Sequence, residues 1–248
     1  MVTAVLMPAV FVHGVPDTEC MWDPLVEILD RPDTVQLSLP GFGTDVPDDW
    51  TATKEEYAAW LEGELEGIGE PVDLVAHDWG ALLAQRVASV RPDLIRTFAC
   101  GSGPLDNTYT WHAVAQAWQT PEVGEQIMEA MLAMSKDDLA TSLRAGGAPP
   151  DLAVIQASHV DARMTECVLR LYRSAVTVGV EWQPAVDSML RRPAMVFHGG
   201  DDPFLDAGIA ERLSQRIGAE LVVFGSCGHW WAWARASETA AALTRLWQ

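Results

Sequence analysis

Apolar runs and stretches of helical spacing alternate along the first hundred residues. Buried strands are predicted at Ala9–Val12, 34–39, 72–76 and 95–100. Each run stops at turn chemistry: His13-Gly14, Pro40-Gly41-Phe42-Gly43, His77-Asp78-Trp79-Gly80 and Gly101-Ser102-Gly103-Pro104. Between them, helical spacing covers 53–65, with Thr53 as N-cap and Glu56 three residues later, and 81–90. Strands alternating with helices of this length predict βαβ units and a parallel sheet. The rhythm breaks near residue 105. From there to 189 the spacing is helical throughout, interrupted near Pro121 and at Gly146-Gly147-Ala148-Pro149-Pro150. Alternation resumes with a strand at 194–198, a helix at 206–217, a strand at Glu220–Phe224 and a helix at 234–247. The pattern predicts an α/β core formed by residues 1–104 and 190–248, with a helical cap, residues 105–189, inserted between its halves. No repeat or low-complexity tract interrupts it.

Composition narrows the function. A length of 248 residues allows one α/β domain with an insert, and 49% apolar residues supply a large core. The net charge of −19 argues against a nucleic-acid partner and against an anionic membrane surface. The four cysteines are scattered without a CxxC pair, which predicts reduced thiols and a cytoplasmic protein. The apolar start, residues 1–12, has no basic flank and does not read as a signal peptide. No apolar run reaches the length of a membrane span. No metal-ligand set and no cofactor motif is present. The His77-Asp78 pair lacks further histidines at helical spacing, so a small-molecule substrate is the expected partner.

Ligands of open α/β sheets bind at the carboxyl ends of the strands. Four reactive segments fall there: His13-Gly14-Val15-Pro16, Asp78, Gly199-Gly200-Asp201-Asp202 and Gly228-His229. Strand, sharp turn and helix around Ala76-His77-Asp78-Trp79-Gly80 form the setting of a nucleophile elbow, here carrying aspartate where most carry serine. A carboxylate nucleophile suits attack on an sp3 carbon, such as an epoxide or an alkyl halide, better than attack on a carbonyl. The bland readings are a helix-capping Asp78 and a His229 packed among Trp230, Trp231 and Trp233. The strand-end placement of both favours chemistry.

With these motifs in the order nucleophile, acid, histidine, the chain resembles the α/β-hydrolase superfamily over nearly its whole length. More narrowly, it resembles the aspartate-nucleophile branch of epoxide hydrolases and haloalkane or haloacetate dehalogenases. The resemblance is carried by His13-Gly14-Val15-Pro16-Asp17, Pro40-Gly41-Phe42-Gly43, His77-Asp78-Trp79-Gly80, Gly199 to Pro203, and Gly228-His229-Trp230. It implies an α/β-hydrolase fold, a mostly parallel sheet flanked by helices with an inserted cap. It also implies Asp78 as nucleophile, His229 as base, Asp202 as the acid orienting His229, and the N–H groups of Val15 and Trp79 as oxyanion hole. The family spacing from Gly199 selects Asp202; Asp206 reads as a helix cap. Asp106 is the only carboxylate near an alternative position for the acid. The chain reaches its first motif so early that the family's initial strands are expected to be missing or short.

The branch turns on the cap. Epoxide opening leaves an alkoxide that needs a proton donor. Tyr172, followed by Arg173, resembles the family's second cap tyrosine. Tyr109, Trp111 and His112 open the cap and are candidate substrate contacts, with Tyr109 or His112 as the second donor. A dehalogenase would need halide ligands; Trp79 matches one, Val15 stands where an Asn is common, and Trp111 or Trp118 could supply another. The haloacid type places arginine after the nucleophile, where this chain has Trp79. The expected function is therefore an epoxide hydrolase acting on an apolar or aromatic substrate. The alternatives are a haloalkane dehalogenase-type hydrolase with the same triad, another α/β-hydrolase tailoring enzyme, or a binding protein that keeps the pocket.

Overall fold

The computed structural model describes residues 7–103, 105–189 and 191–248. The chain opens with β1 (Ala9–Val12), a short 3-10 turn, α1 (Asp23–Leu29), β2 (Thr34–Leu37), α2 (Lys54–Ile68), β3 (Val72–His77), α3 (Trp79–Val90) and β4 (Ile95–Gly101). Six helices follow: α4 (Ala113–Gln119), α5 (Val123–Ala133), α6 (Lys136–Ala145), α7 (Pro150–His159), α8 (Ala162–Ser174) and α9 (Val178–Asp187). The chain then completes β5 (Ala194–Gly199), α10 (Ala207–Ile217), β6 (Glu220–Phe224), α11 (Trp231–Ala234) and α12 (Ala236–Leu246). All described strand pairs are parallel, in the order β2-β1-β3-β4-β5-β6.

Successive strand residues face opposite layers, as the period of two requires. Val10, Val12, Leu74 and Phe98 join Leu61, Leu65, Leu82 and Leu83 in one apolar layer. Ala9, Phe11, Val75, Ala99 and Phe197 join Trp22, Leu25, Trp231 and Leu243 in the other. Both faces are covered, which is why the strands read as continuous apolar runs rather than alternating ones.

Several boundaries differ from the sequence reading. The second strand ends at Leu37, before the turn chemistry at Pro40. Thr53 does cap α2, accepting the Glu56 N–H at 3.4 Å. The Glu56 carboxylate, however, reaches past it to the Thr51 N–H at 2.8 Å. Residues 105–112 are not helical, because Asp106 turns the chain there by accepting from the Thr108 N–H. The last predicted helix begins at Ala236, after a separate short helix that ends at Ala234. The first half of the apolar start, residues 1–6, lies outside the described residues, as do Pro104 and Leu190.

Candidate active site

The turn after β3 forces Asp78 into a strained backbone, with φ +50° and ψ −120°. A side chain there projects from the strand end instead of lying along the helix. Tight packing enforces it. A Cβ on Gly80 would strike the carbonyls of Val12 and His13, and a Cβ on Gly14 would strike the Asp78 side chain itself. The loop after β1 is pinned by His13, whose Nε2 accepts the Leu39 N–H at 2.9 Å. Burial keeps His13 neutral, its pKa lowered to about 4.

The two oxygens of Asp78 have different environments. Oδ1 accepts the Val15 N–H at 2.8 Å. Oδ2 lies 3.7 Å from His229 Nε2, outside hydrogen-bond range, and the side chain is 17% exposed. Burial raises the Asp78 pKa, while His229 and the N–H groups of Val15 and Trp79 act against that rise. His229 Nδ1 donates to Asp202 Oδ2 at 3.0 Å, so Nε2 carries the free lone pair facing Asp78. Burial of His229 opposes its charged form, but Asp202, Asp78 and Asp17 outweigh it and the pKa is raised. Asp202 is fixed in turn by the Phe204 N–H at 2.9 Å and the Ser102 hydroxyl at 2.9 Å. Against its burial, those contacts and His229 hold the Asp202 pKa below the usual range.

These groups open onto a cavity of about 450 Å³. Its floor includes Val15, Asp78 and His229; its walls are mostly apolar side chains of the inserted helices, such as Trp118, Ile127, Met131 and Leu139. Tyr172, His112 and Gln156 are among its few polar residues. Tyr172 is fully enclosed, and burial followed by the Asp78 charge pushes its hydroxyl well above the ordinary tyrosine value. His112 caps α4 by accepting the Ala115 N–H at Nδ1, 3.3 Å, which assigns its own proton to Nε2. Burial lowers its pKa to about 4.

Two sequence candidates stand back from the cavity. Tyr109 donates its hydroxyl to the Phe204 carbonyl at 3.1 Å. Trp111 donates Nε1 to the Ala175 carbonyl at 3.2 Å and stacks on Trp79. Arg173 pairs with Glu125 instead of accompanying Tyr172. Asp106 is bound by Arg212 and Arg216, which leaves Asp202 alone at His229 Nδ1 among the described carboxylates.

Four contributors escaped the sequence reading. His77 holds the His229 carbonyl through Nε2 at 3.0 Å and meets its ring edge-on. Ser102 braces Asp202. Asp17 and Gln156 meet at 2.6 Å beside the cavity. Asp17, His77 and Ser102 stood in noted motifs or turns without an assigned role, and Gln156 carried no signal. Their partners lie on strands and helices far apart in the chain.

Comparisons agree with this architecture. A relative from Acinetobacter baylyi, (E)-2-((N-methylformamido)methylene)succinate hydrolase, is 24% identical over 223 residues, covering 87% of this chain and 81% of its own length. "Probable oxidoreductase EphD" of Mycobacterium tuberculosis is 33% identical over 124 residues, 44% of this chain, and the match spans only 20% of that protein. Among solved structures, a loop variant of haloalkane dehalogenase DbeA from Bradyrhizobium elkanii superposes with a TM-score of 0.74 at 19% identity, covering 98% of this chain and 91% of that one. The model of the alpha/beta hydrolase family matches residues 9–242, and with the parallel sheet and strand-end cavity it shows that the chain belongs to that family.

Proposed function

We propose that this hydrolase opens an epoxide to a vicinal diol through a covalent ester on Asp78. The observation that carries the reading is the asymmetry of Asp78: one oxygen held by the Val15 N–H at 2.8 Å, the other free, in an apolar cavity shared with Tyr172. Oδ2 attacks an epoxide carbon, its C–O bond breaks, and the ring oxygen takes a proton from Tyr172, with His112 Nε2–H as second donor. Alkylation removes the Asp78 charge, one of the causes that raise the Tyr172 pKa, so donation becomes easier as the bond forms. His229 Nε2 then takes a proton from water, and the hydroxide adds to Cγ of Asp78. Charge develops on Oδ1, where the N–H groups of Val15 and Trp79 stabilise it. Collapse releases the diol, the departing oxygen takes the proton of the reformed carboxyl, and His229 reprotonates Tyr172. Asp202 holds His229 in the required tautomer. The inserted helices act as a cap that supplies the donors and excludes water.

One observation favours a second reading, dehalogenation by the same Asp78, Asp202 and His229. The indole N–H groups of Trp79 and Trp118 are buried and have no hydrogen-bond partner among the described residues. Both rings pack on Tyr172, and the Trp79 indole still lies close enough to the Tyr172 hydroxyl to favour its ionised form. Such donors suit a departing halide. Paired assays of diol formation and halide release on matched epoxides and haloalkanes decide between the two, and halide release without diol would overturn the first. A His229→Gln variant should trap the ester as added protein mass; no adduct with either substrate class would overturn Asp78 as nucleophile.

A further inference from the structure

One polar group in the cavity is not used by that chemistry. Gln156, on α7, is 1% exposed and lines the same cavity as Asp78. Its Nε2 donates to Asp17 Oδ1 at 2.6 Å. Its Oε1 is buried and has no hydrogen-bond partner among the described residues. A buried acceptor left unpaired is costly, and the cost is recovered by any ligand that supplies a donor.

The orientation of the amide is imposed. Asp17 is 2% exposed, and its other oxygen, Oδ2, accepts the Trp230 Nε1–H at 3.0 Å. An ionised carboxylate only accepts, so the amide must turn its NH2 to Asp17 and its oxygen away. The remaining walls offer little competition, because most are aliphatic, methionine or indole side chains. Gln156 therefore keeps an unpaired acceptor turned from Asp17, on a residue that lines the apolar cavity.

We propose that Gln156 Oε1 is the specificity contact of this cavity, accepting a hydrogen bond from a hydroxyl or amide N–H on an otherwise apolar substrate. Asp17 is its positioning residue. The inference rests on the epoxide reading only in taking this cavity as the substrate's.

The test compares para-hydroxymethyl styrene oxide with its O-methyl ether, which differ in one donor. Two measurements run in parallel: kcat/KM for diol formation, and calorimetric Kd for the two ethylbenzene analogues that lack the epoxide. The wild-type protein should favour the alcohol by about 10- to 100-fold in both. In Gln156→Met, which keeps the volume without the amide, that ratio should fall to about one. Asp17→Asn gives the sharper result. Trp230 would donate to the one carbonyl oxygen left on the substituted side chain, whose new NH2 would then face Gln156 and turn its amide around. The preference for the alcohol should then fall to about one with the Gln156 amide still in place, because hydroxyl and ether oxygens accept equally from its NH2. An unchanged preference in Gln156→Met, or equal handling of both compounds by the wild-type protein, overturns the proposal. If no diol forms but the calorimetric preference follows this pattern, the epoxide reading fails and the Gln156 contact stands.

Discussion

Asp73 and Asp78 lie at opposite ends of the same strand, and their surroundings differ. Asp73 enters the sheet fully buried and is saturated: Arg96 and Arg31 pair with it, and the Thr97 hydroxyl donates to Oδ1 at 2.7 Å. Asp78 leaves the sheet with the Val15 N–H bonded to Oδ1, the Trp79 N–H nearby, and a histidine too distant for a hydrogen bond. A carboxylate whose lone pairs are all engaged is structural, since attack would require breaking those contacts. One held on a single oxygen keeps a nucleophilic lone pair and a defined direction. The strain sits at the same end: φ is positive at Asp78 and also at Ser102, where the neighbouring strand β4 runs out. Paired charge thus sits at one end of the strand, and strained backbone with a carboxylate oxygen left unbonded at the other.

The contrast can be broken most strongly at the open end. Asp202→Asn removes the charge that orients His229 while keeping its shape, and should lower kcat by about 10⁴-fold with little change in thermal midpoint. A loss smaller than about tenfold, measured in steady-state assays with whichever substrate proves active, would show that Asp202 is not the acid.

Acid should act on the reactive end next. His13 and His77 are buried and neutral, with pKa values lowered from 6.5 to about 4 and about 3. Between those values and 6.5 the unfolded chain binds protons that the folded chain does not, so stability falls as pH falls through that window. Each histidine accounts for about 3 kcal/mol between pH ~6.5 and ~4. Asp17 has the opposite sign: burial raises it to about 6, so its share of stability is lost as pH rises toward 6. His13 and His77, joined by His112 at about 4, outweigh the raised carboxylates of Asp17 and Asp78, and urea midpoints should drop from pH ~6.5 to ~4. A flat profile would break this account.

The saturated end predicts the reverse pattern of loss. Asp73→Asn leaves Arg31 and Arg96 without their shared partner and should destabilise by about 3 kcal/mol in urea unfolding. Turnover per folded molecule should stay unchanged, because Asp73 is remote from the cavity. A kcat effect with intact stability would erase the distinction between the two ends.

The smallest effect separates position from charge. Asp17 touches neither Asp78 nor His229 through a hydrogen bond, yet its charge is one of those raising the His229 pKa. In Asp17→Asn the imidazolium loses that support, so the acidic limb of kcat should move to lower pH. A limb that moves upward, or stays, would assign the His229 shift to Asp202 and Asp78 alone.

Much of this was legible in the chain. The apolar runs marked the described strands because both faces of the sheet are covered, which leaves no polar alternation to confuse the period. Asp78, Asp202 and His229 were legible because each follows a strand closely, so local sequence carries its position. The inserted segment was legible only as helix. Its spacing says which face is apolar and nothing about what that face meets. Hence Tyr109 and Trp111 looked equal to His112, although the first two direct their donors to the carbonyls of Phe204 and Ala175.

Local period, turn chemistry and chain order are enough to encode the family, the parallel sheet and the strand-end residues. Folding is what selects the oxygen of Asp78 that is held, sets Ser102 and His77 against Asp202 and His229, and turns the Gln156 oxygen away from Asp17. Each of those is a contact between segments whose separation along the chain carries no local signal, and it exists only once both faces of the sheet are packed.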